Sequence, residues 1–349
     1  MSIIEFNSIT PTIHRVYTKV QSERSSLIPK LNGLPLHVRF FFSNDVVVAD
    51  FRRFFLISIL NDYTTHETAA DNTASLWNVA TMKHVMTYNG HVQGINDICF
   101  SPDDRYVLTC SDDKTLRIYD TKSGRCVREL KGHTSFVFCA AFSPHMNLIA
   151  SGSFDECVRL WDTRTGSCLR VIQAHSEPIT AVDFSHDGTL LLSSSHDGLC
   201  RIWDVVTAQC LKTLVGDEST PASFSRFSPN SKFVLTSTLD GNIRLWNCVT
   251  AKFHKTYTGH TNNRHSITTA FDLIKGEFVV TGSEDGKIYV YDLQTQKQLS
   301  ELSTCTTKNN GDGVVICVVT SKAKSMMASV TMEKSSSTVI LWKYNNTAS

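Results

Sequence analysis

The stretch GHTSFVFCAAFSPHMNLIASGSFDECVRLWD, residues 132–162, contains the pattern that determines the fold. It begins with a Gly-His pair and ends with Trp-Asp, and polar turns divide its short apolar and β-branched runs. Runs of this length and composition are typical of β-strands. The preceding unit has the same pattern and predicts four strands, at residues 95–100, 106–110, 115–119 and 126–130.

The pattern recurs along the chain. An aromatic residue followed by a polar one closes seven segments, with successive gaps of 42, 42, 42, 43, 45 and 51 residues. The closing residues are Trp77, Tyr119, Trp161, Trp203, Trp246, Tyr291 and Trp342. Gly-His pairs precede three of them, Ala174-His175 is a near match, and Gly216-Asp217 departs from the pattern. This period and these markers are typical of the WD repeat.

Each unit makes a small sheet that can bury its faces only against a neighbour, so the units stack in a ring. The sequence therefore predicts an all-β, seven-bladed WD40 β-propeller over residues 25–345, after a flexible tail at residues 1–24. Blade 1, at about 34–88, and blade 7, at about 303–343, are atypical because they lack Gly-His. A propeller ring usually closes by pairing an amino-terminal strand with the last blade, and residues 25–31 are the candidate. Either an insertion or an imperfect gene model explains the long stretch at 45–70.

Composition limits the function. The 34 basic and 33 acidic residues give a net charge of +1, which provides no cationic field for nucleic acid or an anionic membrane. Partners are therefore expected to be proteins. No apolar run reaches the length of a membrane span. The 11 cysteines include no C-x-x-C pair, which favours a reduced, intracellular setting, and the repeated Cys126, Cys168 and Cys210 are expected to be buried.

Four His-Asp pairs are expected to brace the blades, because the Gly-His histidine and the aspartate of the turn between the second and third strands share a polar network in WD repeats. These pairs are His91 with Asp113, His133 with Asp155, His175 with Asp197, and His260 with Asp285. Asp217 replaces the histidine that would meet Asp240, so the fifth blade is expected to be more weakly braced. Recurrence in four blades favours a structural role. No nucleophile-elbow, zinc-protease or phosphate-loop motif occurs, so the sequence predicts no enzyme, no cofactor and no metal.

Two sets of equivalent positions are expected near the mouth of the central channel. The start of the first strand has Asn96, Phe138, Thr180, Ser223 and Thr268, and the residue before the turn aspartate is Asp112, Phe154, His196, Leu239 or Glu284. The third unit has phenylalanine in both sets. Two readings follow: a pocket for a side chain with an apolar body and a cationic head, or rings packed against neighbouring loops.

The sequence resembles a particular group of WD-repeat proteins over about residues 89–302. The runs GHTSFVFC (132–139), SGSFDECVRLWD (151–162), SSSHDGLCRIWD (193–204), TYTGH (256–260) and GSED (282–285) are similar to the WD-repeat core subunit of COMPASS and MLL-type histone H3 lysine-4 methyltransferase complexes. The resemblance implies a nuclear, monomeric, non-catalytic scaffold within a hetero-complex, bound to methyltransferase and other core subunits and to the histone H3 tail. The alternative is a WD40 scaffold of another assembly, such as an RNA-processing particle or a ubiquitin ligase.

The resemblance also implies two peptide sites. At the channel mouth, that family stacks an arginine between two phenylalanines. The matching residues are Asn96, Asp112, Phe138, Phe154, Thr180, His196, Ser223, Ser266 and Thr268. Thr268 stands where the second ring would be, His196 replaces a tyrosine, Ser266 a cysteine and Asn96 a serine. Loss of one ring face costs on the order of 1 to 2 kcal/mol, which predicts weaker arginine binding or a changed partner.

The second implied site lies on the opposite face and takes an acidic, apolar peptide from another core subunit. Its matching residues are Asn230, Phe233, Leu245, Phe271, Leu273 and Gln294. Leu245 and Phe271 also repeat apolar residues of the other units, so Phe233, Leu273 and Gln294 carry the independent support.

Overall fold

The computed structural model describes residues 6–8, 54–58, 72–78, 84–216, 220–271, 277–304, 313–321, 326–333 and 336–344. These residues form β-strands and turns, and none of the described segments is a helix that could cross a membrane. The strands are antiparallel and lie in seven sheets, six of four strands and one of three, counted over the described residues. We number the sheets 1 to 7 by the repeats that they contain.

The strand bounds follow the predicted repeat. The strands of sheets 1 to 4, with the amino-terminal strand, are β1 (Phe6–Ser8), β2 (Phe54–Ser58), β3 (Ala74–Asn78), β4 (His84–Tyr88), β5 (Ile95–Phe100), β6 (Tyr106–Ser111), β7 (Thr115–Asp120), β8 (Cys126–Lys131), β9 (Val137–Phe142), β10 (Leu148–Ser153), β11 (Cys157–Asp162), β12 (Cys168–Gln173), β13 (Ile179–Phe184), β14 (Leu190–Ser195), β15 (Leu199–Asp204) and β16 (Cys210–Val215). Those of sheets 5 to 7 are β17 (Ala222–Phe227), β18 (Phe233–Thr238), β19 (Asn242–Asn247), β20 (Phe253–Tyr257), β21 (Thr269–Phe271), β22 (Phe278–Gly282), β23 (Lys287–Asp292), β24 (Gln298–Ser303), β25 (Val314–Ser321), β26 (Met326–Glu333) and β27 (Ser336–Tyr344).

The closing aromatic residue of sheets 2 to 7 packs against the sheet before its own. Trp161 of β11 joins a cluster with Leu108 and Ile118 of sheet 2, and it is almost fully buried. The same relation holds for Tyr119, Trp203, Trp246, Tyr291 and Trp342. Burial of one such side chain contributes about 1.5 to 3 kcal/mol, and it is available only when two sheets stack.

Closure uses a strand other than the predicted one. β1 pairs with β27 in antiparallel register, with Phe6 opposite Tyr344 and Ser8 opposite Trp342, and so completes sheet 7. The predicted closing strand, residues 25–31, lies outside the described residues. The pairing expected for that segment therefore stays a prediction, and the strand that the structure pairs with the last blade is β1. A closing strand contributes mainly backbone hydrogen bonds, so several short β-prone segments fit the same pattern and sequence does not separate them.

The first strand of most sheets has one extra residue at its start. The pairing with the second strand skips Asn96, Phe138, Thr180, Ser223 and Ile316. A β-bulge of this kind turns one side chain out of the regular ladder. Each of these five side chains is buried. Ile316 is the equivalent in sheet 7, and it was not recognised from the sequence because the repeat spacing changes there.

The repeated cysteines differ from expectation. Cys126, Cys168 and Cys210 are exposed, and all ten described cysteines are free. Each of the three begins the outermost strand of its sheet, β8, β12 or β16, where most side chains face solvent. Apolar composition alone did not distinguish this edge strand from the inner strands.

Candidate peptide-binding sites

Three of the four expected His-Asp pairs are present. The Nδ1 atoms of His91, His133 and His175 lie 2.8, 2.8 and 2.9 Å from a carboxylate oxygen of Asp113, Asp155 and Asp197, respectively. In sheet 3 the Nε2 atom of His133 lies 2.7 Å from Ser151 Oγ, which also accepts a hydrogen bond from Trp161 Nε1 at 2.8 Å. The network therefore joins the loop, the turn and the closing aromatic of one sheet.

In the His133–Asp155 pair the pKa shifts favour an ionised aspartate and a neutral, buried imidazole. Burial acts to raise the pKa of Asp155, but the hydrogen bond and charge of His133, together with backbone N–H bonds from Thr134 and Cys157, outweigh it and hold that pKa below its ordinary value. Burial also lowers the pKa of the His133 imidazole. The histidine, the aspartate and a hydroxyl group recur in sheets 2, 3 and 4, where the hydroxyl belongs to Thr109, Ser151 and Ser193. We interpret this repeated network as a structural brace of the fold.

The fourth expected pair is not formed. His260 Nδ1 lies 3.2 Å from the hydroxyl oxygen of Tyr291, and its Nε2 has no hydrogen-bond partner in the described part of the chain. Asp285 is exposed and instead accepts a hydrogen bond from the Tyr289 hydroxyl, with an O–O distance of 2.6 Å. Tyr289 stands where sheets 2 to 5 have arginine, and its hydroxyl takes the carboxylate that His260 would have used. Burial lowers the pKa of His260 to about 4.

The fifth blade has a substitute brace. Arg244 Nη2 lies 2.6 Å from Asp240 Oδ2, so the expectation of a weakly braced fifth blade needs correction. Burial acts to raise the pKa of Asp240, but hydrogen bonds from Arg244 and two neighbouring polar side chains lower it to about 2. A small cleft, open to solvent, lies beside Arg244 and Trp246.

The channel-mouth residues of sheets 2 and 3 form one connected group. Asn96 Nδ2 donates to Asp112 Oδ1 at 2.6 Å and to the backbone oxygen of Val137 at 3.0 Å. Phe154 receives two rings edge to face, Phe138 with a centroid distance of 6.0 Å and Phe136 with one of 6.2 Å.

The sequence left open whether the third-unit phenylalanines line a pocket or pack against neighbouring groups, and the structure shows the packing. The rings pack on one another, and Phe138 is only 5% exposed, so a ligand can stack on it only after a neighbouring side chain moves. Phe136 was missed by the sequence analysis. The sequence could have indicated it, because Gly94, Pro178 and Pro221 occupy the equivalent position in other repeats and only the third has an aromatic residue among these four.

The remaining channel-mouth positions link adjacent sheets. Thr180 Oγ1 donates to the backbone oxygen of Ala222 at 2.8 Å, and Ser266 Oγ donates to that of Ser223 at 2.5 Å. Thr268 Oγ1 accepts from the backbone N–H of Val318 at 3.0 Å. Thr268 therefore has a structural partner in sheet 7, and it is buried.

His196, Leu239 and Glu284 follow the second strands of their sheets. His196 and Leu239 donate their backbone N–H to Pro178 and Pro221, as Phe154 does to Phe136. Burial lowers the pKa of His196. The backbone N–H of Glu284 donates to the backbone oxygen of Thr261. Its side chain forms bonds as well, because Oε1 accepts from three successive backbone N–H groups at 2.6 to 3.0 Å. Those donors belong to Asn263, Arg264 and His265.

Only some residues of the second predicted peptide site lie at the protein surface. Leu245 and Phe271 are buried in the core between sheets 5 and 6, and Leu273 lies outside the described residues. Asn230 and Gln294 are exposed, and Phe233 is half-buried.

Two residues that the sequence analysis missed complete this surface. His254 stacks on Phe233, with ring centroids 5.4 Å apart. Lys255 Nζ donates to the backbone oxygens of Leu293 and Gln294 at 2.8 and 2.9 Å, and so ties sheet 5 to sheet 6. The result is a polar and aromatic surface that carries a cation.

The stacked four-stranded sheets, the His-Asp-Ser-Trp networks and the closing strand define a WD-repeat β-propeller. A family model described as the WDR5 beta-propeller domain matches residues 61–343, most of the chain. The chain belongs to this family of WD40 propellers, which are typically non-catalytic scaffolds for protein interactions.

Shorter similarities occur to other WD-repeat proteins. The chain is 43% identical to human WD repeat-containing protein 37 over 51 residues, which cover 15% of this chain and 10% of that protein. It is 40% identical to mouse apoptotic protease-activating factor 1 over 47 residues, 14% of this chain and 4% of that protein. Lissencephaly-1 homolog 1 of Paramecium tetraurelia is 35% identical over 52 residues, 15% of this chain and 13% of that protein. The matched segments span only 4% to 13% of these relatives, so they indicate the repeat alone.

Proposed function

We propose that the protein is a non-catalytic scaffold of a nuclear histone H3 lysine-4 methyltransferase complex, with one peptide site at the channel mouth and another on the opposite face. The observation that carries the proposal is the cluster of Phe136, Phe138 and Phe154 beside the Asn96–Asp112 pair. Membership of the WDR5 propeller family supports it. Partners are methyltransferase and other core subunits and the histone H3 tail.

The channel-mouth site suits an arginine side chain. An aromatic ring attracts a guanidinium through its face, and the carboxylate of Asp112 supplies an acceptor and a negative charge nearby. Thr268 provides no second ring. We therefore expect this site to bind more weakly than a two-ring site by about tenfold, which corresponds to the loss of one cation–π contact.

The opposite-face site suits an acidic peptide with apolar side chains. Lys255 supplies a positive charge, the stacked Phe233–His254 pair supplies an apolar surface, and Asn230 and Gln294 offer exposed amides. Since Leu245 and Phe271 are core residues, they act only by supporting this surface.

We also propose that the propeller has seven blades and extends over residues 25–345, with β1 added from the amino-terminal side. The three-stranded sheet of β2, β3 and β4 then represents the first blade. The β2–β3 pairing is regular, with Phe55 opposite Trp77, and the β3–β4 pairing shifts between Leu76 and Trp77, as the equivalent pairing does in sheets 2 to 6. Ala74, Leu76 and Tyr88 pack with Tyr119 of sheet 2.

Calorimetry with peptides tests the channel-mouth site. We expect an arginine-containing histone H3 tail peptide to bind the native chain, and Phe138→Ala to weaken that binding at least tenfold. Phe253→Ala is the matched control, because Phe253 is half exposed on the outer strand β20. Unchanged binding by Phe138→Ala would eliminate this site.

Affinity purification followed by mass spectrometry tests the assembly. Recovery of methyltransferase core subunits supports the proposal. Recovery of RNA-processing or ubiquitin-ligase subunits in their place would overturn it in favour of the rival scaffold, which the structural role of Thr268 favours.

A further inference from the structure

The outer strand of sheets 2 to 5 has a cation as its third residue. In register, these cations are Arg128, Arg170, Lys212 and Lys255. Three of them donate to backbone oxygens in the turn between the third and fourth strands of the next sheet. The pairs are Arg128 Nε with Arg164 at 3.2 Å, Arg170 Nη2 with Val206 at 3.5 Å, and Lys255 Nζ with Leu293 and Gln294 at 2.8 and 2.9 Å. This repeated contact ties each sheet to its successor.

Lys212 is the exception. It is exposed, and its Nζ forms no hydrogen bond or ion pair with any residue in the part of the chain that the structure describes. Its side chain still faces sheet 5, because Leu214 lies two residues further along the same strand and packs with Trp246 and Cys248. The charge of Lys212 is therefore available beside the turn at residues 247–252.

That turn has lost the carboxylate of the other repeats. The third strand ends with aspartate in sheets 2, 3, 4 and 6, and with Asn247 in sheet 5. Asn247 Oδ1 accepts from the backbone N–H groups of Val249 and Thr250, both at 2.9 Å, so the turn geometry is kept without the charge. Lys252 at the other end of the turn is exposed and adds a second cation.

The next boundary between sheets shows the usual arrangement. Backbone hydrogen bonding from Thr295 mainly, and the charge of Lys255 to a smaller extent, lower the pKa of Asp292. Lys255 thus has both carbonyl acceptors and a nearby carboxylate, and Lys212 has neither within the described residues.

Two exposed apolar side chains lie at the boundary that Lys212 faces. Val249 is 75% exposed and Phe253 is 51% exposed. The Phe253 ring meets Trp246 edge to face, with centroids 5.7 Å apart, and Trp246 packs in the core between sheets 4 and 5. Phe253 is therefore on the side of β20 that faces sheet 4. We call the surface formed by Lys212, Val249 and Phe253 the sheet 4–5 seam.

The neighbouring boundary between sheets 3 and 4 provides an internal control. Val206 has the turn position of Val249 and is equally exposed. There, however, Arg170 bonds to the Val206 carbonyl, Asp204 keeps the turn carboxylate, and Cys210 stands in place of Phe253. Among sheets 2 to 6, the sheet 4–5 seam alone combines an uncommitted outer-strand cation, a turn without aspartate and an exposed aromatic ring.

We propose that the sheet 4–5 seam is a docking site for a segment of a partner protein that carries a carboxylate beside an apolar side chain. The carboxylate pairs with Lys212, and the apolar side chain packs between Val249 and Phe253. Burial of apolar area supplies the affinity, and the complementary charge supplies the selectivity. The seam shares no residue with the channel mouth or the opposite-face site, so docking here does not depend on the proposed methyltransferase role.

Peptide display with a competitor tests the proposal. A library of random short peptides is selected on the immobilised full chain in the presence of excess soluble Lys212→Glu, which removes peptides that bind elsewhere. We expect the surviving peptides to carry aspartate or glutamate beside an aliphatic or aromatic residue. In fluorescence anisotropy they should bind the native chain about tenfold more tightly than Lys212→Glu, because charge reversal replaces an attraction with a repulsion.

Two further variants separate the seam from the net charge of the protein. Val249→Ser should weaken binding of the same peptides by about fivefold, since it removes apolar contact area and no charge. Arg170→Glu makes the matched charge reversal at the boundary between sheets 3 and 4, and it should bind them as the native chain does. All three substituted side chains are exposed, so the variants should fold, which tryptophan fluorescence verifies.

The outcomes separate the possible occupants. The absence of surviving peptides, or survivors without a carboxylate, would overturn the proposal. Equal weakening by Arg170→Glu and Lys212→Glu would do so too, because binding would then follow net charge. A concentration-dependent dimer that Lys212→Glu abolishes would assign the seam to a second copy instead. Histone-peptide binding at the channel mouth should be unchanged in Lys212→Glu, so failure of one proposal does not imply failure of the other.

Discussion

Arg244 forms an ion pair with Asp240 at 2.6 Å, in the place where three other blades use a histidine. The arginine comes from the third strand of its own sheet and the histidine from the loop before the first strand, so two different parts of the repeat satisfy the same turn carboxylate. Sheet 5 thus keeps a charge-assisted brace without a Gly-His pair.

Removal of this brace should destabilise the propeller. We expect Arg244→Ala to lower the free energy of unfolding by about 2 kcal/mol, because it leaves a partly buried carboxylate with fewer donors. Urea denaturation followed by tryptophan fluorescence measures the change. Arg170→Ala is the control, since that arginine is exposed and makes only a 3.5 Å contact. Equal stability of the two variants would show that Asp240 does not need Arg244.

Acid should weaken the structure through His260. Its pKa of about 4 lies below the ordinary value of 6.5, so the unfolded chain binds a proton at higher pH than the folded one. Stability contributed by the neutral ring is therefore present above about pH 6.5 and is lost as the pH falls toward 4, by an amount on the order of 3 kcal/mol.

The test compares His260→Leu with the native chain in urea at pH 7 and pH 4.5. The variant should lose less stability between the two pH values, because it has no buried imidazole to protonate. His145→Leu, at an exposed position, should behave as the native chain does. If all three chains show the same pH dependence, the buried imidazole of His260 is not its source.

Glu284 should hold the loop before β21 in place. Its Oε1 accepts from three consecutive backbone N–H groups, and Glu284→Ala removes all three contacts. Hydrogen exchange at residues 263–265 should accelerate at least tenfold, as expected for the loss of bonds to a charged acceptor. Asp285→Asn changes the neighbouring charge but none of these contacts, and it should leave the exchange of this loop unchanged.

The closing strand should contribute to thermal stability. Asn7→Pro places proline in β1, where it disfavours pairing with Lys343 of β27. We expect a lower melting temperature than for Asn7→Ala, which keeps the backbone donor, and both are measured by calorimetry. Matching melting temperatures would show that the β1–β27 pairing contributes little.

The repeat made most of the fold predictable from sequence. Aromatic closers at intervals of 42 to 45 residues locate sheets 2 to 6, because each buried ring needs the preceding sheet as its partner. The closing strand was not predictable, since backbone pairing of three residues leaves little trace in the side-chain pattern.

The sequence also did not predict which side chain bonds to the turn aspartate in the fifth and sixth repeats. The histidine and aspartate of the sixth repeat are both present, yet Tyr289 captures Asp285. In the fifth repeat Arg244 replaces a missing histidine. Both outcomes depend on the length and direction of a third-strand side chain, which a spacing argument does not include. For the candidate sites, the sequence located Phe138 and Phe154 but not Phe136, His254 or Lys255.

In sheets 2 to 7 the closing aromatic is buried against the preceding sheet, so the sheets are stacked in one direction along the chain. As the chain leaves the ribosome, every new repeat completes the core of the one already made, and its own core waits for the next. Trp342 covers sheet 6 while the outer side of β27 needs a further strand. The residues that pair with that side, Phe6–Ser8, precede every repeat in the chain. Residues 6–8 must therefore remain accessible until β27 has been made, and a partner that captures them early would delay closure of the last sheet.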